Sequence, residues 1–194
     1  MARNILLALL ALLVLVGVLL VVILTRPNTF HVERTAVIHA PADVVFARLE
    51  DLHKWPDWSP WEKLDPAMQR TFSGADKGVG AVYAWKGNDK VGEGRMTINE
   101  AAAPSKLGLQ LEFLEPFAST NRTTFELAPA DGGTRVRWAM DGPHNFMSKA
   151  MCLVMDMDKQ VGGDFEKGLA SLDAVAQADA RTAAVPDTTT AATP

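Results

Sequence analysis

Cysteine is almost missing from this 194-residue chain: Cys152 is the only one. No internal disulfide can form, and no zinc site can be built on cysteine pairs. The four histidines, His31, His39, His53 and His144, lack H-x-x-x-H or H-E-x-x-H spacing, so no metal is expected. An excess of positive charge is missing too. Lys and Arg number 19 against 23 Asp and Glu, for a formal net charge of −4. Setting aside Arg3 and Arg26, which flank an apolar run, leaves −6. This balance argues against nucleic acid and against electrostatic docking on anionic lipid. Catalytic signatures are equally scarce. Ser59 and Ser148 have no nucleophile-elbow context. The glycines of "GADKGVG" (74–80) and "GNDKVGEG" (87–94) lack the Gly-Lys-Ser/Thr ending of a phosphate loop and the helix that follows it. Gly92 and Gly94 read instead as a bulge or bend in a curved strand. No catalytic set and no cofactor are expected. Arg95, Tyr83, Asp141 and Glu126 are the polar side chains that would serve if any chemistry occurs.

What is present begins with "ILLALLALLVLVGVLLVVIL", residues 5–24, which holds no charged or polar side chain. At ~1.5 Å per residue a helix of this length spans about 30 Å, the thickness of a bilayer core. The run ends in Thr25-Arg26-Pro27 without the small-x-small pattern of a cleavage site. Residues 1–27 are therefore expected to be a retained single-pass membrane anchor. Arg3 and the terminal amine nearly balance Arg26 and Arg34 across the span. The expected orientation puts the N-terminus inside and the domain on the periplasmic or extracytoplasmic side. Residues 177–194, rich in Ala and Thr with two prolines and no aromatic residue, are expected to be a disordered tail.

Between them lies one domain, 28–176. "TFHVERTAVIHA" (29–40) reads as a strand and "PADVVFARLEDL" (41–52) as a short amphipathic helix. The period then changes to two, with strand candidates at 68–74, 80–87, 90–101, 106–113, 120–129 and 134–142 joined by short turns, "GADKG", "GNDK", "AAPS", "EPFAS" and "ADGG", three of which carry Gly, Asn or Asp. Leu107, Leu109, Leu111 and Phe113 alternate with small or polar residues, as do Val136, Trp138 and Met140. One face of an antiparallel meander is thus covered. The cover is expected to be a helix over 145–176, whose Met147, Met151, Val154, Val161, Phe165, Leu169 and Leu172 fall near one stripe. Gly162-Gly163 is expected to break it and act as a hinge, with Asp164 capping the second half. The fold class is α+β, a helix-grip arrangement in which a curved antiparallel sheet wraps a long C-terminal helix.

"KWPDWSPW" (54–61) carries three of the five tryptophans, with two prolines between them. Pro56 and Pro60 exclude a regular α-helix, so tertiary packing or a ligand must hold Trp55, Trp58 and Trp61. The methionines of "MSKAMCLVMDM" (147–157) form a second cluster, flexible and suited to varied apolar ligands.

The stretches "HAPADVVFARLEDLHKW", "WSPWEKLDP", "GVGAVYAWKGNDKVGEGRMTI", "GTRVRWAM" and "MDKQVGGDFEKGLASL" resemble the START/birch-pollen-allergen-like (SRPBCC) superfamily, specifically its bacterial polyketide cyclase/dehydrase and lipid-transport group. The likeness covers about residues 29–176 and excludes the anchor and the tail. It implies a cavity for a lipid or other hydrophobic small molecule between sheet and helix, with no reaction specified. The expected lining is Trp58, Trp61, Trp85, Met96, Leu111, Phe125, Trp138, Met140, Met151 and Met155. The resemblance leaves two alternatives open. One is a polyketide cyclase- or dehydratase-like enzyme. The other is a module that recognises a protein partner, as heat-shock-ATPase-activator relatives do.

Overall fold

The computed structural model describes residues 2–144, 146–153 and 155–184, without the side chain of Met147. Helix α1 (Ala2–Thr25) is uninterrupted, and its most apolar window has a mean hydropathy of 3.5. It is long and apolar enough to cross a membrane. After Arg26, Pro27 and Asn28 the chain enters β1 (Thr29–Ile38), then α2 (Ala42–Leu49). Six more strands follow: β2 (Gln69–Gly74), β3 (Ala81–Lys86), β4 (Glu93–Ala102), β5 (Lys106–Glu115), β6 (Ser119–Ala130) and β7 (Gly133–Pro143). The expected strands are all there, with ends shifted by at most three residues. The largest shift, at β4, arises because Val91-Gly92 forms part of a turn. Gly92 takes φ +63°, and a Cβ there would lie 2.3 Å from the Glu115 carbonyl oxygen.

The seven strands form one antiparallel sheet in the order β1-β7-β6-β5-β4-β3-β2. Its register puts Val136, Trp138 and Met140 on the same face as Phe125, Leu109, Met96 and Tyr83. That face is the core, where Ile38, Leu107, Leu109, Phe125 and Val136 have no solvent exposure. The opposite face carries ion pairs, among them Arg95–Glu112 and Arg137 with Glu33 and Glu126.

The α2 helix is shorter than expected and stops at Leu49. The tryptophan segment is not irregular throughout, because Leu52–Asp57 and Pro60–Lys63 are 3₁₀ turns. A 3₁₀ turn tolerates these prolines because it asks for few consecutive backbone donors. Trp55 and Trp58 are buried, and the Trp55 indole N–H donates to the Leu49 carbonyl at 3.0 Å.

The C-terminal helix departs from expectation in three respects. First, α4 (Met157–Ala184) runs unbroken through Gly162-Gly163, and the interruption lies at 152–156, between it and the short α3 (Phe146–Met151). Val154 falls outside the described residues. Second, Asp156 rather than Asp164 caps α4: its carboxylate accepts the Lys159 N–H at 3.1 Å. Asp164 instead pairs with Lys167 at 2.9 Å. Third, the helix continues to Ala184, so 177–184 are helical rather than part of a tail, while 185–194 lie outside the described residues. Ala176 is fully buried, and Asp179 binds Arg48 of α2, which extends the packed helix past the expected end. Gly162 has a packing role in place of a hinge. Arg34, on the inner face of β1, lays its guanidinium against Gly162 while donating to Asp158 and Glu166.

Candidate functional site

Sheet, tryptophan turns and α4 enclose a cavity of about 220 Å³. Leu109, Leu111, Met96 and Met140 line it from the strands, Trp61 from the second 3₁₀ turn, and Val161 and Phe165 from α4. Its deep wall is an aromatic cluster. Trp138 stacks on Phe165 with ring centroids 4.1 Å apart and planes 6° apart, and Trp61 meets both rings edge-on. Gly168 makes this approach possible, since a Cβ there would lie 2.7 Å from Trp138 Cζ3.

The rim is formed by half-buried Trp85, Val91 and Phe113 and by exposed Lys90. Gly94 lets the Trp85 ring fold across β4, where a Cβ would meet it at 2.5 Å, and the strand register shifts between Glu93 and Gly94. The Trp85 indole donates to the Val91 carbonyl at 3.0 Å. Asp65, itself buried, accepts the Asn88 N–H at 2.7 Å and fixes the other side of the same turn.

A hydrogen-bonded polar cluster is built into the wall. The Tyr83 hydroxyl donates to Glu62 Oε1 at 2.5 Å, and Arg70 Nε donates to Glu62 Oε2 at 2.7 Å. Tyr83 and Glu62 are both buried and both line the cavity. Burial, followed by the hydrogen bond to Glu62, pushes the phenol pKa well above its ordinary value. The Arg70 guanidinium is held more firmly protonated by Glu62. Of the four polar candidates named from sequence, only Tyr83 faces the cavity. Arg95 pairs with Glu112, Asp141 with His31 and Glu126 with Arg137, all on the outer face. Glu62 was missed because its neighbours, Trp61 and Lys63, give no periodicity that would mark it as buried.

Six of the ten expected lining residues lie on the cavity: Trp61, Trp85, Met96, Leu111, Trp138 and Met140. Trp58 and Phe125 do not. They sit one layer deeper, with Trp58 edge-on to Trp138 at 5.6 Å and to Phe125 at 6.2 Å. Met151 and Met155 are away from the cavity altogether, 40% and 42% exposed. The break at 152–156 turns the methionine segment away, so only α4 covers the site. Met155 borders a separate open groove with Arg26, Pro27 and Lys149. A larger hollow of about 630 Å³ is lined mostly by polar residues, among them Asn99, Gln110, Arg122 and Asp141, and offers no comparable apolar wall.

A curved antiparallel sheet gripping one long helix around an apolar cavity defines a START/birch-pollen-allergen-like domain of the SRPBCC superfamily. The chain belongs to the polyketide cyclase / dehydrase and lipid transport family, whose sequence profile matches residues 29–177. No curated protein matches the chain by sequence. Among solved structures it is similar to the di-domain aromatase/cyclase StfQ of the steffimycin biosynthetic pathway, with a TM-score of 0.59 and 10% identity over 79% of this chain and 52% of that one. It is similar to protein Ms6760 of Mycobacterium smegmatis, with a TM-score of 0.52 and 23% identity over 77% and 92%. It also resembles the Aha1 dimer of Colwellia psychrerythraea, with a TM-score of 0.50 and 16% identity over 74% and 96%. At these identities the likeness is one of fold.

Proposed function

We propose that this protein is a membrane-tethered binding protein for a small hydrophobic molecule, with α1 crossing the bilayer and the cavity opening towards it. The observation that carries this reading is the shared placement of anchor and rim. Across the sheet, Thr29 pairs with Pro143, Phe113 with Ser119, Glu93 with Glu115 and Lys86 with Glu93. The start of β1 and the turn that forms the rim, 87–92, therefore lie at one end of the sheet. Only Arg26, Pro27 and Asn28 separate α1 from β1, a reach of at most ~14 Å. Exposed apolar residues gather at the same end: Leu114 and Phe117 by the β5–β6 turn, and Phe146 after β7. A domain so tethered samples membrane-dissolved ligands at high effective concentration.

The wall chemistry favours binding over catalysis. Both Glu62 carboxylate oxygens accept hydrogen bonds, and Tyr83 is held protonated. That arrangement ties up both carboxylate oxygens and keeps the phenol from serving as a base near neutral pH.

The test is quenching of tryptophan emission by 1-bromooctane in the full-length protein embedded in lipid nanodiscs. Quenching should saturate in the wild type. It should lose its saturable part in Leu111→Phe with Met96→Phe, which fills the cavity from two cross-strand neighbours. Equal, unsaturable quenching in both proteins would refute the binding reading.

A further inference from the structure

The cavity wall contains two buried polar atoms without a partner among the described residues, the Trp138 indole Nε1–H and the Thr123 hydroxyl. Trp138 is 2% and Thr123 3% exposed. Thr123 pairs with Met140 and Phe125 with Trp138, so Thr123 and Trp138 are diagonal neighbours on the inner face, roughly 7–8 Å apart at Cα. The indole cannot turn to find another acceptor, being stacked on Phe165 and seated over Gly168. A buried donor left unpaired is costly, and buried polar groups in folded proteins almost always have partners. The charged pair nearby is already committed: Tyr83 and Arg70 both donate to Glu62.

We infer that the ligand is an uncharged, compact molecule carrying a hydrogen-bond acceptor, such as a ketone or ester oxygen, which Trp138 Nε1–H and the Thr123 hydroxyl clasp inside a largely apolar cavity. This inference rests on the reading of the cavity as a ligand site. Three observations define the class. The acceptor follows from the free donors. Neutrality follows from the wall's charge balance: Arg70 is taken up by Glu62, and Lys90 stands exposed at the rim, so no cation waits inside for an anionic group. Size follows from volume. Benzene occupies a cavity of about 150 Å³, so one of about 220 Å³ holds about nine non-hydrogen atoms. A diacyl lipid is far too large to be enclosed.

Acetophenone and α-methylstyrene test this directly, because both have nine non-hydrogen atoms and differ only in a carbonyl oxygen replaced by a methylene. Their affinities for the full-length protein in nanodiscs are read from the Trp138 indole ¹H–¹⁵N resonance. Wild type should bind acetophenone about tenfold more tightly than α-methylstyrene, as two modest hydrogen bonds would give. Thr123→Val, nearly isosteric, should lower the acetophenone preference several-fold, leave α-methylstyrene unchanged, and melt no lower than wild type. Trp138→Phe, followed by the shifts of Met140, should also reduce the preference. Equal binding of both probes to wild type, with Thr123→Val indistinguishable, would overturn the acceptor inference and leave the cavity reading standing. Failure of both probes to bind would overturn the cavity reading and the inference with it.

Discussion

Replacing Gly162 by alanine should weaken the fold relative to the same replacement at its neighbour Gly163. Either change removes a helix-interior glycine, which on its own stabilises by ~1 kcal/mol. At Gly163 nothing lies within 4 Å of the added Cβ, so that gain should be realised in full. At Gly162 the new carbon would sit 2.0 Å from Arg34 Nη2 and 2.2 Å from Cζ. The guanidinium has little room to retreat, because it is held by the Asp158 carboxylate and carbonyl, by Glu166 and by the Glu33 carbonyl. Inserting a methyl into such a contact costs about 1–3 kcal/mol. The propensity gain is common to both variants, so this steric cost is the difference between them. For a domain of this size ~3 °C accompanies each kcal/mol, which separates the two melting temperatures by about 3–9 °C. Thermal denaturation followed by circular dichroism in nanodiscs reads the difference. In an Arg34→Ala background the separation should vanish. A Gly162→Ala protein that melts at or above Gly163→Ala would refute the packing role assigned to the glycine.

Three further outcomes are expected. His31 donates hydrogen bonds to the Asp141 carboxylate at 2.7 Å and to the Glu33 carboxylate at 3.0 Å, which raise its pKa above the ordinary 6.5. Its stabilising effect is complete below that ordinary value and is lost as pH rises through the higher folded one, so Tm should fall above about pH 6.5 and His31→Gln should flatten the fall. Tyr83 is the only tyrosine in the chain, so absorbance near 295 nm reports it alone. No phenolate should form by about pH 11, where a free tyrosine is largely ionised, until the protein unfolds. Trp58→Ala should cost ~3–5 kcal/mol as a core truncation, whereas Trp61→Ala should cost less stability and more of the bromooctane quenching.

The fold was legible because strand alternation agrees with connections that are short at every hairpin from β2 to β7. Leu107, Leu109 and Leu111 could face only one way, and the short turns left no room for parallel crossovers. The strand half of the cavity was legible for the same reason, since Met96, Leu111, Trp138 and Met140 share the inner face. The helix half was not. A stripe of apolar residues does not reveal where a helix is interrupted, and "MSKAMCLVMDM" continues the stripe of α4 although it lies across a break from it. Gly162-Gly163 looks like a hinge in sequence because nothing local records that Arg34, more than a hundred positions away, needs the space. Glu62 and Thr123 were invisible as site residues for a related reason. Their burial comes from tertiary packing, and a lone polar residue reads by default as surface.

The most direct measurement on the central claim is native mass spectrometry of the full-length protein released from nanodiscs, with and without the cavity-filling pair Leu111→Phe and Met96→Phe. Wild type, after incubation with a solvent extract of its expression host, should retain one equivalent of a small neutral molecule that the filled variant lacks. A bare protein mass in both, after saturating incubation, would contradict a ligand-binding role and leave the cavity as a packing defect beside the tryptophan cluster.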